Sequence, residues 1–173
     1  EEVRINKEKI AELAAEWDRS GLPAAWWDRR HHFQSDNEEI LALYLILLDS
    51  LNFCFWNDTA QKWSVSYQGK DYSGYFALSL SLKDFFEKNP DKANLRYFDK
   101  ISFKEFSRIL QWGKNLLYLE ERWQIARRVS CHILKKYGSA GNFILSAENQ
   151  LSELIPKIAF ELNSFQDHFW RNG

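Results

Sequence analysis

The run from Ile40 to Leu51, "ILALYLILLDSL", constrains this chain more than any other segment. It is apolar on nearly every face, so a helix built from it has no side fit for water and must lie at the centre of the fold. "SDNE" precedes it, and Ser35 as N-cap with Glu38 three residues on makes the capping box that starts such a helix. Asp49 stands near the end of this helix, where burying a carboxylate without a partner is expensive. It either caps a backbone group, meets an arginine, or serves a ligand.

The remaining segments read around that helix. From Asn6 as cap, Ile10, Leu13, Ala14 and Trp17 recur at helical spacing, and Gly21 with Pro23 ends the pattern. In "KWSVSYQGKDYSGY" the period changes to two: Trp63, Val65 and Tyr67 alternate with polar residues, and Gly69-Lys70 suits a two-residue hairpin turn. Helix resumes from about Phe76 to Glu87 and stops before Pro90, which disfavours helical geometry at Asn89. In "ISFKEF", Ser102 and Glu105 form a second capping box while Ile101 and Phe106 are spaced as a hydrophobic staple, so a helix runs through Leu110. Leu119, Trp123, Ala126, Val129, Ile133 and Leu134 make one stripe of a helix reaching Tyr137, closed by Gly138; its other face carries Glu120, Glu121, Arg127 and Arg128. A last helix from about Ser146 is expected to bury Leu151, Leu154, Ile158 and Leu162 and to bend or break at Pro156. Together these segments predict a mainly α fold with one small β-hairpin, read as a single domain over residues 1–173.

Charge and motifs exclude several functions. Lys and Arg total 23 against 24 Asp and Glu, which leaves no positive field to hold a phosphate polymer, so no direct nucleic-acid partner is expected. No run approaches the roughly 20 apolar residues of a membrane span, and "EEVRINKEK" does not read as a signal peptide. A cytoplasmic location without a membrane partner is therefore expected. Cys54 and Cys131 lie outside any C-x-x-C pair and suggest neither a disulfide framework nor zinc. Adjacent His31 and His32 lack the i, i+4 spacing of a helical metal site, so no metal or cofactor is expected. Phosphate-loop, dinucleotide and nucleophile-elbow signatures are absent. Cys54 has no activating base nearby in sequence and reads as a small apolar filler.

What is left is the stretch "DSLNFCFW", Asp49 to Trp56, with Tyr72 and Tyr75 beyond the hairpin. Acid, amide and rings fall within one supersecondary unit. Base pockets use that mixture, because ring faces stack on a heterocycle while Asn and Asp read its edge. Core packing explains the rings equally well, and on the residues alone the two readings stand level.

Four blocks in series, "LLDSLNFCFW", "WSVSYQGKDYSGYFAL", "RYFDKISFKEFSRIL" and "LEERWQIARRV", resemble in order and spacing the queuosine salvage proteins, the queuosine 5′-phosphate N-glycosylase family. The likeness extends from "WDRRHH" to "NSFQDH". It implies a fold similar to helical DNA glycosylases and an enzyme that hydrolyses the N-glycosidic bond of queuosine 5′-monophosphate to release queuine. His31 matches the histidine that follows the family's tryptophan, here Trp27. Asp49, Asn52, Phe53, Phe55 and Trp56 match its D-[ST]-L-N-F-x-F-W block; Tyr72, Gly74 and Tyr75 match Y-[ST]-G-Y; Glu120, Glu121 and Arg122 match E-E-R. The resemblance thus makes His31, Asp49, Asn52, Phe53, Phe55, Trp56, Tyr72, Tyr75, Glu120 and Arg122 the substrate-binding candidates. Gln166 stands where the family usually has Arg in S-[FY]-R-D, and Pro156 interrupts its last helix. The family continues beyond this length, and the resemblance places its F-Y-K-R-A-Q segment and its catalytic Asp there. These residues therefore read as the N-terminal part of a longer enzyme, with no catalytic residue assigned. The alternative is a non-catalytic helical module that binds queuine, its nucleotide or a protein partner.

Overall fold

The structure, a computed structural model, describes residues 6–20, 28–55, 62–111 and 114–162. The chain divides into two units, Glu1–Arg30 and His31–Gly173. In the first, α1 (Lys7–Ser20) begins where the sequence expects, with Asn6 Oδ1 accepting from the Lys9 amide at 3.0 Å. The stop expected at Gly21 and Pro23 lies outside the described residues. Ile10 and Leu13 of the α1 stripe are exposed.

The second unit runs α2 (Glu38–Ser50), β1 (Ser64–Tyr67), β2 (Lys70–Ser73), α3 (Gly74–Lys88), a 3-10 turn (Pro90–Lys92), α4 (Leu95–Lys100), α5 (Phe103–Ile109), α6 (Leu119–Tyr137), α7 (Ala140–Leu145) and α8 (Leu151–Glu161). It is mainly α with one antiparallel hairpin among the described residues. As its all-round apolar surface requires, α2 is central: Leu43, Tyr44, Leu47 and Leu48 are buried, and α3, α6 and α7 pack against it. Its cap differs from the expected one. Asn37 Oδ1 accepts from the amides of Glu39 and Ile40, at 3.0 and 3.3 Å, while Ser35 Oγ only receives the Asn37 amide. Both residues have the side-chain acceptor that a cap needs, and Asn37 is the one next to the first helical turn.

The hairpin turn is shifted by one residue from the expected Gly69-Lys70. Tyr67 pairs with Lys70, so Gln68 and Gly69 form the turn, with φ of 49° and 75°. Two positive φ values in succession match the right-handed twist of the flanking strands, and glycine serves the second of them without strain. By contrast, the Ser102–Glu105 capping box is present with Ile101 and Phe106 both buried, and α6 ends at Gly138 with φ of 78°.

Two short helices, α4 and α7, are absent from the sequence reading. Asn94 caps α4 through the Tyr97 amide at 2.9 Å, and Ser139 caps α7 through the Asn142 amide at 3.0 Å. A more distant group completes α7: the Glu39 carboxylate of α2 accepts from the Ala140 and Gly141 amides at 2.8 and 2.5 Å. A carboxylate at a helix N-terminus meets both unsatisfied N–H groups and a favourable dipole. Glu39→Ala is expected to lower the unfolding free energy by about 2 kcal/mol, read as a lower urea midpoint at unchanged slope. Glu39→Gln, which keeps one acceptor, should lose less.

α8 continues through Pro156, where a bend or break was expected. Leu162 is buried, but Leu151 is exposed, contrary to the sequence reading. The helix is tied to α6 at its C-terminal end. Glu161 accepts from Lys136 Nζ at 2.9 Å and from the Tyr137 hydroxyl at 2.7 Å, with His132 Nε2 at 3.3 Å. Burial raises the Glu161 pKa, but the hydrogen bonds from Lys136, Tyr137 and His132 outweigh it and hold the carboxyl at about 2, below its ordinary 4.5. A depressed folded-state pKa gives stability that is complete above the ordinary value and is lost as pH falls towards the folded one. Wild type should therefore melt above Glu161→Gln at pH 6, with the gap closing between pH 4.5 and about 2. Among the described residues no helix is long and apolar enough to cross a membrane.

Candidate functional site

At the exit of α2 the chain leaves regular structure from Asn52 to Phe55, and Cys54 adopts a left-handed φ of 44°. Asn52 is exposed, while Phe53 and Phe55 are half-buried. Phe55 stacks on the buried Trp63, centroids 6.0 Å apart and planes 15° apart. Across from it, Gly74 opens α3 with φ of 60°, and a Cβ there would meet Phe55 Cβ at 3.9 Å. Space is thus available at Gly74; the positive φ is what calls for glycine. This turn from β2 into α3 sets Tyr75 beside the α2 exit.

The acid in this cluster is Asp49. Asp49 as a residue is exposed, yet the surrounding protein desolvates its carboxylate and raises its pKa, against an opposing pull from His32. Its charge in turn adds to the burial that raises the Tyr75 phenol. His32 is buried and its Nε2 lies 2.8 Å from the Tyr75 hydroxyl. His32, which the sequence reading passed over, is therefore the histidine that joins the acid and the phenol. His31 packs instead on rings, edge-on to Tyr72 at 5.5 Å and tilted to Phe76 at 4.7 Å. No spacing rule tells which of two adjacent histidines turns inward, since only the packing of α3 against the segment decides it.

Arg122, from the first turns of α6, is fully buried. Its guanidinium donates to the carbonyls of Leu51, Phe53, Cys54 and Leu117 and lies 4.1 Å from the Phe53 ring centroid and 5.0 Å from that of Phe55. Phe53 also faces Tyr118, centroids 6.4 Å apart. Glu120 and Glu121 are exposed on the first turn of α6. Trp56, the remaining candidate, lies outside the described residues, as do Trp27 and Gln166. The structure therefore brings together Asp49, Asn52, Phe53, Phe55, Tyr75 and His32, with Tyr72 and His31 linked through Phe76, and puts Arg122 beneath them. Among the described residues no group of three His, Cys, Asp or Glu side chains stands where it could hold a metal ion.

A groove of about 500 Å³ opens beside Asp49, walled by Leu41 and Leu45 of α2, Ile144 of α7, and Leu154 and Ile158 of α8. Leu145, Leu151, Ile155 and Phe160 remain exposed on α7 and α8.

Fold and cluster define a mainly α protein with aromatic residues gathered at the exit of its central helix and an aliphatic groove that Asp49 borders. A model of the queuosine salvage protein family matches residues 31–173, and the chain belongs to that family. It is 28% identical over 166 residues to the queuosine 5′-phosphate N-glycosylase/hydrolase of Sphaerobacter thermophilus, covering 95% of this chain and 50% of that protein. The like-named protein of Dictyostelium discoideum is 29% identical over 152 residues, covering 82% and 43%. That of Schizosaccharomyces pombe is 24% identical over 196 residues, covering 96% and 53%. The chain spans about half the length of the curated relatives it matches.

Proposed function

We propose that this chain supplies the substrate-binding part of a longer enzyme, an N-glycosyl hydrolase that cleaves queuosine 5′-monophosphate and releases queuine. The observation that carries the reading is the gathering of Asp49, Asn52, Phe53, Phe55 and Tyr75, drawn from two separate sequence blocks, around one helix exit, where Asp49 also borders an aliphatic groove. The names of the relatives support the same reaction. Queuine is a 7-deazaguanine, so carbon replaces the ring nitrogen that would otherwise be protonated to improve the leaving group. Departure is driven from the sugar side, through an oxocarbenium-like state that a carboxylate stabilises.

The residues here are assigned to holding the base. Asp49, with Glu120 as a further acceptor, takes the N–H donors of the guanine-like edge, and the Asn52 amide meets its carbonyl. Phe53, Phe55 and Tyr75 offer ring faces for stacking, and the amine on the cyclopentenediol arm suits an aromatic, acidic lining. The proposed partner is a small molecule, and the balanced charge supplies no net positive field to hold a nucleic-acid polymer. Incubating the full-length protein with queuosine 5′-monophosphate and following free queuine by chromatography tests the assignment: release is expected, and none would overturn it. A second reading, a non-catalytic module, draws on Leu145, which lines the groove, and on Leu151 and Ile155, exposed on α8. These suit a polypeptide partner equivalent to the part of the relatives outside the match. A ligand-induced rise in Tm without turnover would mark that reading.

A further inference from the structure

Arg122 has no exposed surface, so it offers no face to a ligand. Its donors instead converge on the backbone that carries the binding candidates. Nη1 donates to Leu51 O, Nη2 donates to Phe53 O and to Cys54 O, the latter at 3.2 Å, and Nε donates to Leu117 O at 3.2 Å. The planar fork thus spans the last turn of α2, the irregular strip after it, and the loop before α6. The rings of Phe53 and Phe55 lie against this fork, with centroids 4.1 and 5.0 Å from its central carbon. The backbone on both sides is held in left-handed geometry at residues with side chains, Cys54 with φ of 44° and Tyr118 with φ of 57°. Each such residue is costly and persists only where its surroundings over-determine it.

Taking a guanidinium fully out of water is itself unfavourable, and burial lowers its pKa to about 10, leaving it charged at neutral pH. A core built for stability alone gains little from such a group. A site that must fix ring faces and an amide to within a fraction of an ångström gains a rigid template, because one planar donor set orients several carbonyls at once. We infer that Arg122 is a positioning residue, which clamps the Leu51–Cys54 backbone so that Asn52, Phe53 and Phe55 face the substrate while the guanidinium itself never touches it. This rests on the proposed base-binding role of the strip. Lysine cannot replace it, since an ammonium is a compact point charge without the fork.

The test uses Arg122→Lys, with Arg122→Gln held ready should the lysine variant not fold, and Ile133→Ala as a control. Ile133 is buried on the same helix, outside the clamp, and its truncation lowers overall stability without loosening the strip. In ligand-free protein, hydrogen exchange at the Asn52–Phe55 amides is expected to quicken at least tenfold in the Arg122 variant beyond any change in the control. Affinity for queuosine 5′-monophosphate is expected to fall at least tenfold in the same comparison. Unchanged exchange at the strip overturns the clamp. Quickened exchange with wild-type affinity, or an equal affinity loss in Ile133→Ala, overturns the positioning role. Failure of the wild type to bind the nucleotide defeats the base-binding reading and with it the purpose of the clamp, whereas the clamp itself is still decided by the ligand-free exchange.

Discussion

Phe86→Ala is expected to lower the unfolding free energy by about 4 kcal/mol, seen as a fall in the urea midpoint without a change of slope. Phe86, from α3, is buried where four segments meet. Its ring centroid lies 5.3 Å from Phe33, 5.6 Å from Tyr44 of α2, 5.9 Å from Phe85 and 5.9 Å from Phe98 of α4. Each neighbour is itself held by another ring: Phe33 by Tyr44 at 5.5 Å, and Phe98 by Phe85 and Tyr97 at 5.7 and 5.4 Å. None is free to swing into the vacated volume, so the cavity persists and adds its own penalty to the lost transfer energy. Phe85→Ala, at a half-buried position on the same helix, should cost distinctly less. Equal losses at the two positions would mean that this cluster does not close the core between α2, α3 and α4.

Asp49→Asn is expected to weaken binding of queuosine 5′-monophosphate about ten- to a hundredfold, the scale of a lost hydrogen bond to a charged group. The same change should leave the fold as stable as before, or more so. Burial raises the folded-state pKa of Asp49 above its ordinary 3.8, so the ionised carboxylate is held at an expense that appears as pH rises through and beyond that value. Asparagine removes the expense at pH 7, and the difference in Tm should vanish as pH falls below 3.8. A residue that weakens the fold while strengthening the site is placed there for the site. Loss of stability together with unchanged affinity would instead make Asp49 a structural acid.

Much of the fold could be read from local signals. The apolar α2 run, the Ser102–Glu105 capping box of α5 and the α6 stripe closed by Gly138 are each specified by residues within or next to the element itself. Elements that depend on distant partners were not legible. α7 takes part of its N-terminal capping from Glu39, about a hundred residues earlier, and α4, capped by Asn94, is too short at six residues to show a periodicity of its own. Near-ties fell to local geometry for Asn37 over Ser35 and for Gln68-Gly69 over Gly69-Lys70, and to tertiary packing for His32 over His31 in the contact with Tyr75. The Asp49–Trp56 stretch with Tyr72 and Tyr75 stood out as a mixture of acid, amide and rings, the resemblance added His31, Glu120 and Arg122, and the structure separates the described candidates among them by depth. Asn52, Phe53, Phe55 and Tyr75 keep open surface, whereas Arg122 has none, a distinction that an E-E-R motif does not contain.

Backbone chemical shifts followed during titration with queuosine 5′-monophosphate test the central claim most directly. The largest changes are expected at Asp49–Phe55 and at Tyr72–Tyr75, saturating together at one stoichiometric equivalent. Changes confined to other surfaces, or none at all, would contradict the assignment of the α2 exit as the place that grips the base.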